Sequence, residues 1–207
     1  MKAIGILPTY IYEEELPPDI FSQLISLCNN IDWDKAVTYA GGSSSTNVLK
    51  FPQQDDILSQ PSIFKWKRWT EEQLNFINDN AIRDNYTSDI QINAAWINKY
   101  KTGDFNRSHT HPWSVYSGVV FLTGDADNMV LVQPNPYNEE VLKISNTHDM
   151  YQYPAINGKM VVFPSNLNHY VMENNNDTIR YTLAFNAMPS KVWDGHTVRF
   201  GNCHSDG

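Results

Sequence analysis

The second half of the chain consists of short β-prone runs, each bounded by residues that favour turns. After Asp89 these runs are QINAAWINKY, SVYSGVVFLT, NMVLVQP, KMVVFPS, NHYVME and TIRYTLAFN. Gly, Asn, Asp and Pro separate them, as is usual where one strand ends and the next begins. Many short strands that follow a helical section indicate a β-sandwich or a jelly roll with helices at one end. The pattern therefore predicts a mainly β fold with flanking helices.

The first 89 residues show a different pattern. Residues 3–12 contain an apolar run that predicts a strand, and DIFSQLISLCNNI has apolar residues at helical spacing, with Asp19 as the predicted N-cap. Residues 40–48, AGGSSSTNV, predict a polar loop without regular structure. A second helix is predicted over TEEQLNFINDNAIRDNY, where Thr70 and Gln73 have the spacing of a capping box.

The length of 207 residues predicts a single domain, 1–207. We expect residues 1–89 to form a support region of helices and a strand. Residues 90–188 are expected to form the β core, and residues 189–207 an irregular C-terminal tail.

Charge and cysteine content argue against several classes of function. Lys and Arg total 15 against 23 Asp and Glu, a net charge of −8, which gives no electrostatic footprint for nucleic acid or an anionic membrane. Cys28 and Cys203 form no closely spaced pair, so we expect free thiols in a reducing compartment. The N-terminus does not resemble a signal peptide, and no run approaches the ~20 apolar residues of a membrane span. We therefore expect a cytoplasmic protein (in the host cytoplasm if the chain is viral), with a homodimer as the commonest form of assembly.

Three of the six histidines have the spacing of a metal site. His109 and His111 are two residues apart, and on an extended strand such residues point to the same face. His169 lies far downstream, where a distant strand can supply a third ligand. A facial set of three ligands leaves coordination positions open, as a catalytic metal requires. The sequence therefore predicts a metal held by His109, His111 and His169.

A hairpin after His169 would add a cation to this site. If residues 174–177 form a four-residue turn, then Val171 lies opposite Arg180, and His169 lies opposite Thr182. Directly opposed residues share a face of the sheet, so Arg180 and Thr182 would point towards the metal. A guanidinium in that position requires an anion, and a carboxylate bound through two hydrogen bonds suits it best.

These residues also carry a resemblance to a known family. Tyr100, Gly103, Phe105, His109 and His111 are similar to the Y-x-x-G-x-F stretch and H-x-D motif of prolyl-hydroxylase-like oxygenases. The segments HTHPWSVYSGVVFL, FPSNLNH and RYTLAFN, in that order, resemble the 2-oxoglutarate/Fe(II)-dependent oxygenases of a microbial and phage subgroup. The resemblance covers about residues 90–188.

The resemblance implies a double-stranded β-helix, the cupin-like form of the jelly roll, with Fe(II) as metal and 2-oxoglutarate as cosubstrate. Such an enzyme is a dioxygenase that uses O₂ to hydroxylate an unactivated C–H bond. His109, His111 and His169 would be the metal ligands, with His111 in place of the usual carboxylate. Arg180, assisted by Thr182, would bind the distal carboxylate of 2-oxoglutarate, and Tyr100 would be a second hydrogen-bond donor to it. The sequence leaves the primary substrate open among a prolyl side chain, a free amino acid and another small metabolite.

Two other functions remain open at this point. One is a three-histidine, cupin-like metalloenzyme that does not use 2-oxoglutarate, and the other is a non-catalytic jelly-roll binding module. Arg180 and Thr182 argue against the first, since it gives no reason for a carboxylate clamp. The presence of all three histidines argues against the second. Asn98 and Asn186 fit a pocket lining or ordinary strand-end hydrogen bonding equally well.

Overall fold

The structure, a computed structural model, describes residues 9–46, 56–81, 89–123, 129–132 and 150–190. In chain order, its helices and strands are β1 (Tyr12–Glu15), α1 (Pro18–Asn30), β2 (Val37–Thr38), β3 (Ser44–Ser45), α2 (Phe64–Ala81), β4 (Ile90–Tyr100), β5 (Asn106–His109), β6 (Tyr116–Thr123), β7 (Met129–Val132), β8 (Met150–Tyr153), β9 (Lys159–Pro164), β10 (Asn168–Val171) and β11 (Arg180–Pro189). Short 3₁₀ helices occupy Trp33–Lys35, Ile57–Ser59 and Pro61–Ile63.

The described strands form two antiparallel sheets. The larger sheet has the order β1-β9-β6-β11-β4-β3-β2, and the smaller has the order β5-β10-β7-β8. Consecutive strands of the core alternate between the sheets over much of the chain, so the connections cross from one sheet to the other. This is the predicted double-stranded β-helix, and the sequence-based prediction of fold class is confirmed.

Each face of the larger sheet is buried by a different partner. One face packs on α1 and α2, where Trp66 meets Phe185 edge-to-face with ring centroids 5.6 Å apart. The opposite, inner face packs against the smaller sheet, and this second core includes Trp96, Phe163 and Leu131. Strands buried on both faces read as continuous apolar runs, as GVVFL and MVVF do in β6 and β9. Apolar side chains therefore fill much of the space between the two sheets.

The second helix begins six residues before its predicted cap. One buried stripe of the helix passes through Thr70. It consists of residues at helical spacing: Trp66, Thr70, Leu74 and Ile77. The Thr70 hydroxyl contacts the Met160 sulfur, and the capping-box interpretation is wrong. In α1 the N-cap is Pro17, and Asp19 lies in the first turn instead of capping the helix.

Other differences concern the N-terminal strands. The first described strand is Tyr12–Glu15, which pairs with β9; of the predicted strand 3–12, residues 3–8 lie outside the described residues. Within the segment predicted to be a loop, Ser44 and Ser45 form β3 and pair with β4. Cys28 is a buried free thiol in α1. Within the described ranges, neither helix combines the length and apolar character that crossing a membrane requires.

Candidate active site

The three predicted metal ligands come together between the two sheets. His109 ends β5 and is paired directly with His169 of β10. The ring centroids of His109 and His169 are 4.3 Å apart, and the ring of His111 lies 4.9 Å from the first and 5.0 Å from the second. The candidate ligand nitrogens all lie within 4.8 Å of one another. The three imidazoles are therefore close enough to share one metal ion.

The prediction that strand alternation positions His111 beside His109 is wrong. β5 ends at His109, and His111 lies in the loop that leads to β6. The backbone N–H of His111 donates to the carbonyl of Ser165, 2.9 Å away, and the ring packs beside Trp96 with centroids 5.6 Å apart. These two contacts hold the loop so that the third imidazole still faces the other two.

Backbone carbonyls orient two of the rings. The Nδ1 atoms of His109 and His169 lie 2.7 Å and 3.0 Å from the carbonyls of Arg107 and Leu167. A carbonyl oxygen can only accept, so each Nδ1 carries the proton and donates it. Nε2 is then the nitrogen with the lone pair in each ring, which is the form that ligates a metal.

Burial keeps His169 neutral. Its side chain is 3% exposed, and desolvation, with a smaller electrostatic contribution from the neighbouring His109, lowers its pKa to about 4. At neutral pH the ring therefore needs no deprotonation before it binds a metal. Imidazole nitrogens suit Fe(II) among other transition metals, so the donor set fits the metal that the sequence predicts.

Arg180 places a buried cation on the same inner face. It is 1% exposed and lies opposite Tyr100 across β11 and β4, with its guanidinium carbon 4.5 Å from the centroid of the phenol ring. Its Nη2 donates to the carbonyl of Met172, 2.9 Å away. A guanidinium in this position can form charge-assisted hydrogen bonds with a carboxylate ligand.

The hairpin that predicted this position is wrong. β10 and β11 belong to different sheets, and His169 lies opposite His109 and Leu131 instead of Thr182. The segment between β10 and β11 does not close a hairpin. Its residue Asn174 instead exchanges backbone hydrogen bonds with the turn after β4. Arg180 and Thr182 nevertheless face inward. They lie four and two residues before Ala184 on β11 and so share its face, and Ala184 packs in the core between the sheets.

Tyr100 is buried beside Arg180, at the centre of a polar chain. Its hydroxyl accepts a hydrogen bond from Nδ2 of Asn106 (2.9 Å) and shares another with Thr182. The Ser43 hydroxyl donates in turn to Oδ1 of Asn106 (2.7 Å). Burial raises the pKa of Tyr100 to about 12, so the phenol keeps its proton at neutral pH.

Two more polar groups line the inner face in the row next to Arg180. Ser45, Asn98 and Thr182 lie directly opposite one another on β3, β4 and β11, and each is at most 3% exposed. Oγ of Ser45 and Oδ1 of Asn98 have no hydrogen-bond partner among the residues that the structure describes. Buried polar atoms are almost always paired, so this row fits the binding of a polar ligand.

Farther along the same face, a polar cluster underlies the loop of His111. The Ser117 hydroxyl donates to Oδ1 of Asn186 (2.8 Å) and lies 2.9 Å from the Ser165 hydroxyl. All three are buried, and the carbonyl of Ser165 accepts from His111. Beyond His111 the loop exposes Trp113, which is 83% accessible and has a left-handed φ of 67°.

Residues 94–186 match the model of the family described as "Putative 2OG-Fe(II) oxygenase". The matched segment contains Tyr100, His109, His111, His169, Arg180 and Thr182. The resemblance found in the sequence is therefore confirmed: the β core that holds these residues has the sequence pattern of 2-oxoglutarate- and Fe(II)-dependent oxygenases, which are oxidoreductases.

Several solved structures share this fold. A prolyl-4-hydroxylase of Pseudomonas putida is 15% identical, with a TM-score of 0.60 over 86% of this chain and 92% of that chain. HygX of Streptomyces hygroscopicus, solved with nickel and 2-oxoglutarate, is 10% identical, with a TM-score of 0.61 over 88% and 84%. The viral collagen prolyl hydroxylase of Paramecium Bursaria Chlorella virus-1 is 12% identical, with a TM-score of 0.53 over 86% and 94%. No curated protein matches the sequence.

Sequence reasoning missed the contribution of the N-terminal region to this site. Ser43 and Ser45 lie in a segment that predicted only a loop, and Asn106 lies between two motif residues without belonging to the motif. A run of small polar residues after two glycines carries no signal for burial, because most such runs are exposed. For Asn98 and Asn186 the sequence leaves a position in the pocket open, and both lie buried on the inner face.

Proposed function

We propose that His109, His111 and His169 hold the Fe(II) of this oxygenase, and that Arg180 binds the distal carboxylate of 2-oxoglutarate. One observation carries the assignment: a buried guanidinium and three clustered imidazoles line the same space between the two sheets. Fe(II) and 2-oxoglutarate, when bound together, supply the activation of O₂ that hydroxylates a C–H bond and converts the cosubstrate to succinate and CO₂.

The residues of the chain perform the binding and orientation. Arg180 offers a fork of donors to a carboxylate, and Thr182 and Tyr100 present hydroxyl groups beside it. Trp96 and Phe163 pack against the imidazole rings and limit the access of water to them. The low dielectric of this apolar surrounding strengthens the contact between the guanidinium and the carboxylate.

Charge balance gives a reason for the order of binding. Three neutral imidazoles leave the charge of a divalent metal uncompensated, whereas a set with one carboxylate reduces it by one. The dianionic cosubstrate then offsets two of the three positive charges that the metal and Arg180 carry together. We therefore expect 2-oxoglutarate to increase the affinity of the protein for the metal, because the two ligands are thermodynamically linked.

The substrate class is the second part of the proposal. Two of the structures with the same fold are prolyl hydroxylases by name, so a prolyl or other amino-acid side chain is the first class to examine. Trp113 follows His111 by two residues and is almost fully exposed, and we assign it to the rim of the substrate entrance. A cytoplasmic location and a homodimer are also proposed, supported by the buried free thiol of Cys28 and by the frequency of homodimers, respectively.

A substrate screen tests the proposal. The Fe(II)-loaded protein is incubated with 2-oxoglutarate, air and a panel of prolyl peptides, free amino acids and small metabolites, and succinate is measured. We expect succinate to form in proportion to a product that is heavier by one oxygen atom, and to be absent when EDTA is present. A panel with no such product, in a protein that also fails to bind 2-oxoglutarate, would favour the three-histidine enzyme without cosubstrate.

A further inference from the structure

A β-bulge in β5 turns Asn106 into the space between the sheets. His169 lies opposite His109 and Val171 lies opposite Asn106, so a step of two residues on β10 corresponds to a step of three on β5. On a regular strand, residues three apart point to opposite faces. The extra residue on β5 lets Asn106 and His109 point to the same side. Without the bulge, a strand that points His109 at the metal would point Asn106 away from Tyr100.

Two glycines bring Ser43 to Asn106. The carbonyl of Gly41 accepts a hydrogen bond from the backbone N–H of Phe105 (2.8 Å), and a Cβ on Gly41 would lie 2.0 Å from the Phe105 carbonyl oxygen. Gly42 has a φ of 90° and bridges to Phe105 in parallel. Any larger residue at Gly41 would push the segment away from β5. The close approach buries Ser43 completely against Asn106.

The resulting chain of hydrogen bonds has a direction. The Ser43 hydroxyl donates to Oδ1 of Asn106, which turns the NH₂ group of that amide towards Tyr100. Because Nδ2 of Asn106 can only donate, the Tyr100 oxygen is the acceptor in this contact. The proton of the Tyr100 hydroxyl must then point away from Asn106, and Thr182 is the other side chain that shares a hydrogen bond with this hydroxyl.

We propose that Ser43 and Asn106 are positioning residues, which act through Tyr100 to keep its hydroxyl a hydrogen-bond donor to the distal carboxylate of 2-oxoglutarate. The inference rests on the proposed function, in which Arg180 binds that carboxylate. It makes cosubstrate affinity depend on a glycine–serine segment outside the matched residues 94–186. The raised pKa of Tyr100 is consistent with this role, because the phenol remains protonated throughout the physiological range.

A double-mutant cycle separates a positioning role from a structural one. The four proteins are the parent, Tyr100→Phe, Asn106→Leu and the double variant, each loaded with Fe(II) without oxygen and titrated calorimetrically with 2-oxoglutarate. Loss of a hydrogen bond to a charged group weakens binding by about tenfold, so we expect about that loss for Tyr100→Phe and a loss of about three- to tenfold for Asn106→Leu. If Asn106 acts through Tyr100, the double variant binds within about twofold of Tyr100→Phe alone.

Additive losses in the double variant would overturn the inference and leave the proposed function intact. Failure of the parent protein to bind 2-oxoglutarate would overturn both. The affinity for Fe(II) and the thermal unfolding temperature are measured in every variant, and we expect neither to change enough to account for the loss of 2-oxoglutarate binding.

Two smaller changes test the direction of the chain. Asn106→Asp keeps the shape of the side chain but accepts from Tyr100 instead of donating to it, and it adds a negative charge near the bound carboxylate. We therefore expect it to weaken 2-oxoglutarate binding more than Asn106→Leu does. Ser43→Ala removes the group that orients the amide, and a loss of about threefold is expected from a neutral hydrogen bond. Binding as tight as in the parent in both Asn106→Asp and Ser43→Ala would overturn the inference.

Discussion

Arg180 and Tyr100 face each other across β11 and β4, with the guanidinium carbon 4.5 Å from the centroid of the phenol ring. Both side chains are 1% exposed. The aromatic face attracts the cation, but a cation–π contact offsets only part of the cost of burying a full charge. If 2-oxoglutarate binds beside this pair, as proposed, its binding stabilises the folded protein by mass action.

The first prediction concerns the metal ligands. Alanine at His109, His111 or His169 leaves two imidazoles, and we expect each change to weaken Fe(II) binding by more than about a hundredfold, since even the loss of an outer-shell partner costs about 10–100-fold. Calorimetric titration under anaerobic conditions measures the effect. Tyr170→Phe is the matched control, because Tyr170 neighbours His169 in β10 but contacts Met150 through its hydroxyl. Parent-like binding in two of the three alanine variants would show that the assignment is wrong.

The second prediction concerns the residue that distinguishes this triad. His111→Asp restores the more common set of two histidines and one carboxylate, and it adds one negative charge at the metal. We expect it to retain bound iron, whereas His111→Ala loses it. Iron content after desalting, measured side by side in both variants, checks this. Equal occupancy in the two would mean that position 111 does not ligate the metal.

The third prediction concerns pH. In the unfolded chain His169 takes up a proton as the pH falls through about 6.5, whereas the folded metal-free protein keeps the ring neutral until about pH 4. The unfolded state therefore binds more protons in this window, and the stability of the folded state falls as the pH falls through it. Between pH 7 and pH 5 the part of the decrease due to His169 is about 2 kcal/mol.

The control for this prediction is His169→Gln, which has no titrating group at that position. Denaturant unfolding of the EDTA-treated parent and variant at pH 7 and pH 5 gives the change in free energy of unfolding between the two pH values for each protein. The parent should lose more free energy of unfolding than the variant by roughly the amount due to His169. Parallel losses in the two proteins would mean that burial of His169 does not couple folding to protonation.

The sequence predicted the β core, because short apolar runs bounded by turn residues are a local pattern. It also predicted which three histidines cluster, although contacts with Ser165 and Trp96, and not strand alternation, position His111. Alternating turn residues and apolar runs gave β4, β6, β7, β9, β10 and β11. Histidines two residues apart, followed by a third near FPSNLNH, gave a metal site that the structure brings together.

The remaining features depend on contacts between distant segments. The predicted hairpin between His169 and Arg180 failed because Asn174 bonds to the turn after β4, a contact that lies some 70 residues apart in the chain. The predicted cap at Thr70 failed because tertiary burial extends the helix towards Trp66. Ser43 reaches the site only because the turn at Gly41 and Gly42 packs closely on the segment at Phe105. No local sequence pattern indicates this packing.

The most direct test of the account is the titration of 2-oxoglutarate into anaerobic, Fe(II)-loaded Arg180→Met, followed by the charge-transfer absorbance. Breaking a buried guanidinium–carboxylate pair costs about 2–5 kcal/mol, and each 1.4 kcal/mol is about tenfold in affinity, so 2-oxoglutarate should bind about 30-fold more weakly or worse. Fe(II) affinity should be nearly unchanged, and Arg180→Lys should be intermediate, because a point charge does not reproduce the two-pronged contact. An unchanged dissociation constant in Arg180→Met would contradict the account and favour a three-histidine metalloenzyme that does not bind 2-oxoglutarate through this residue.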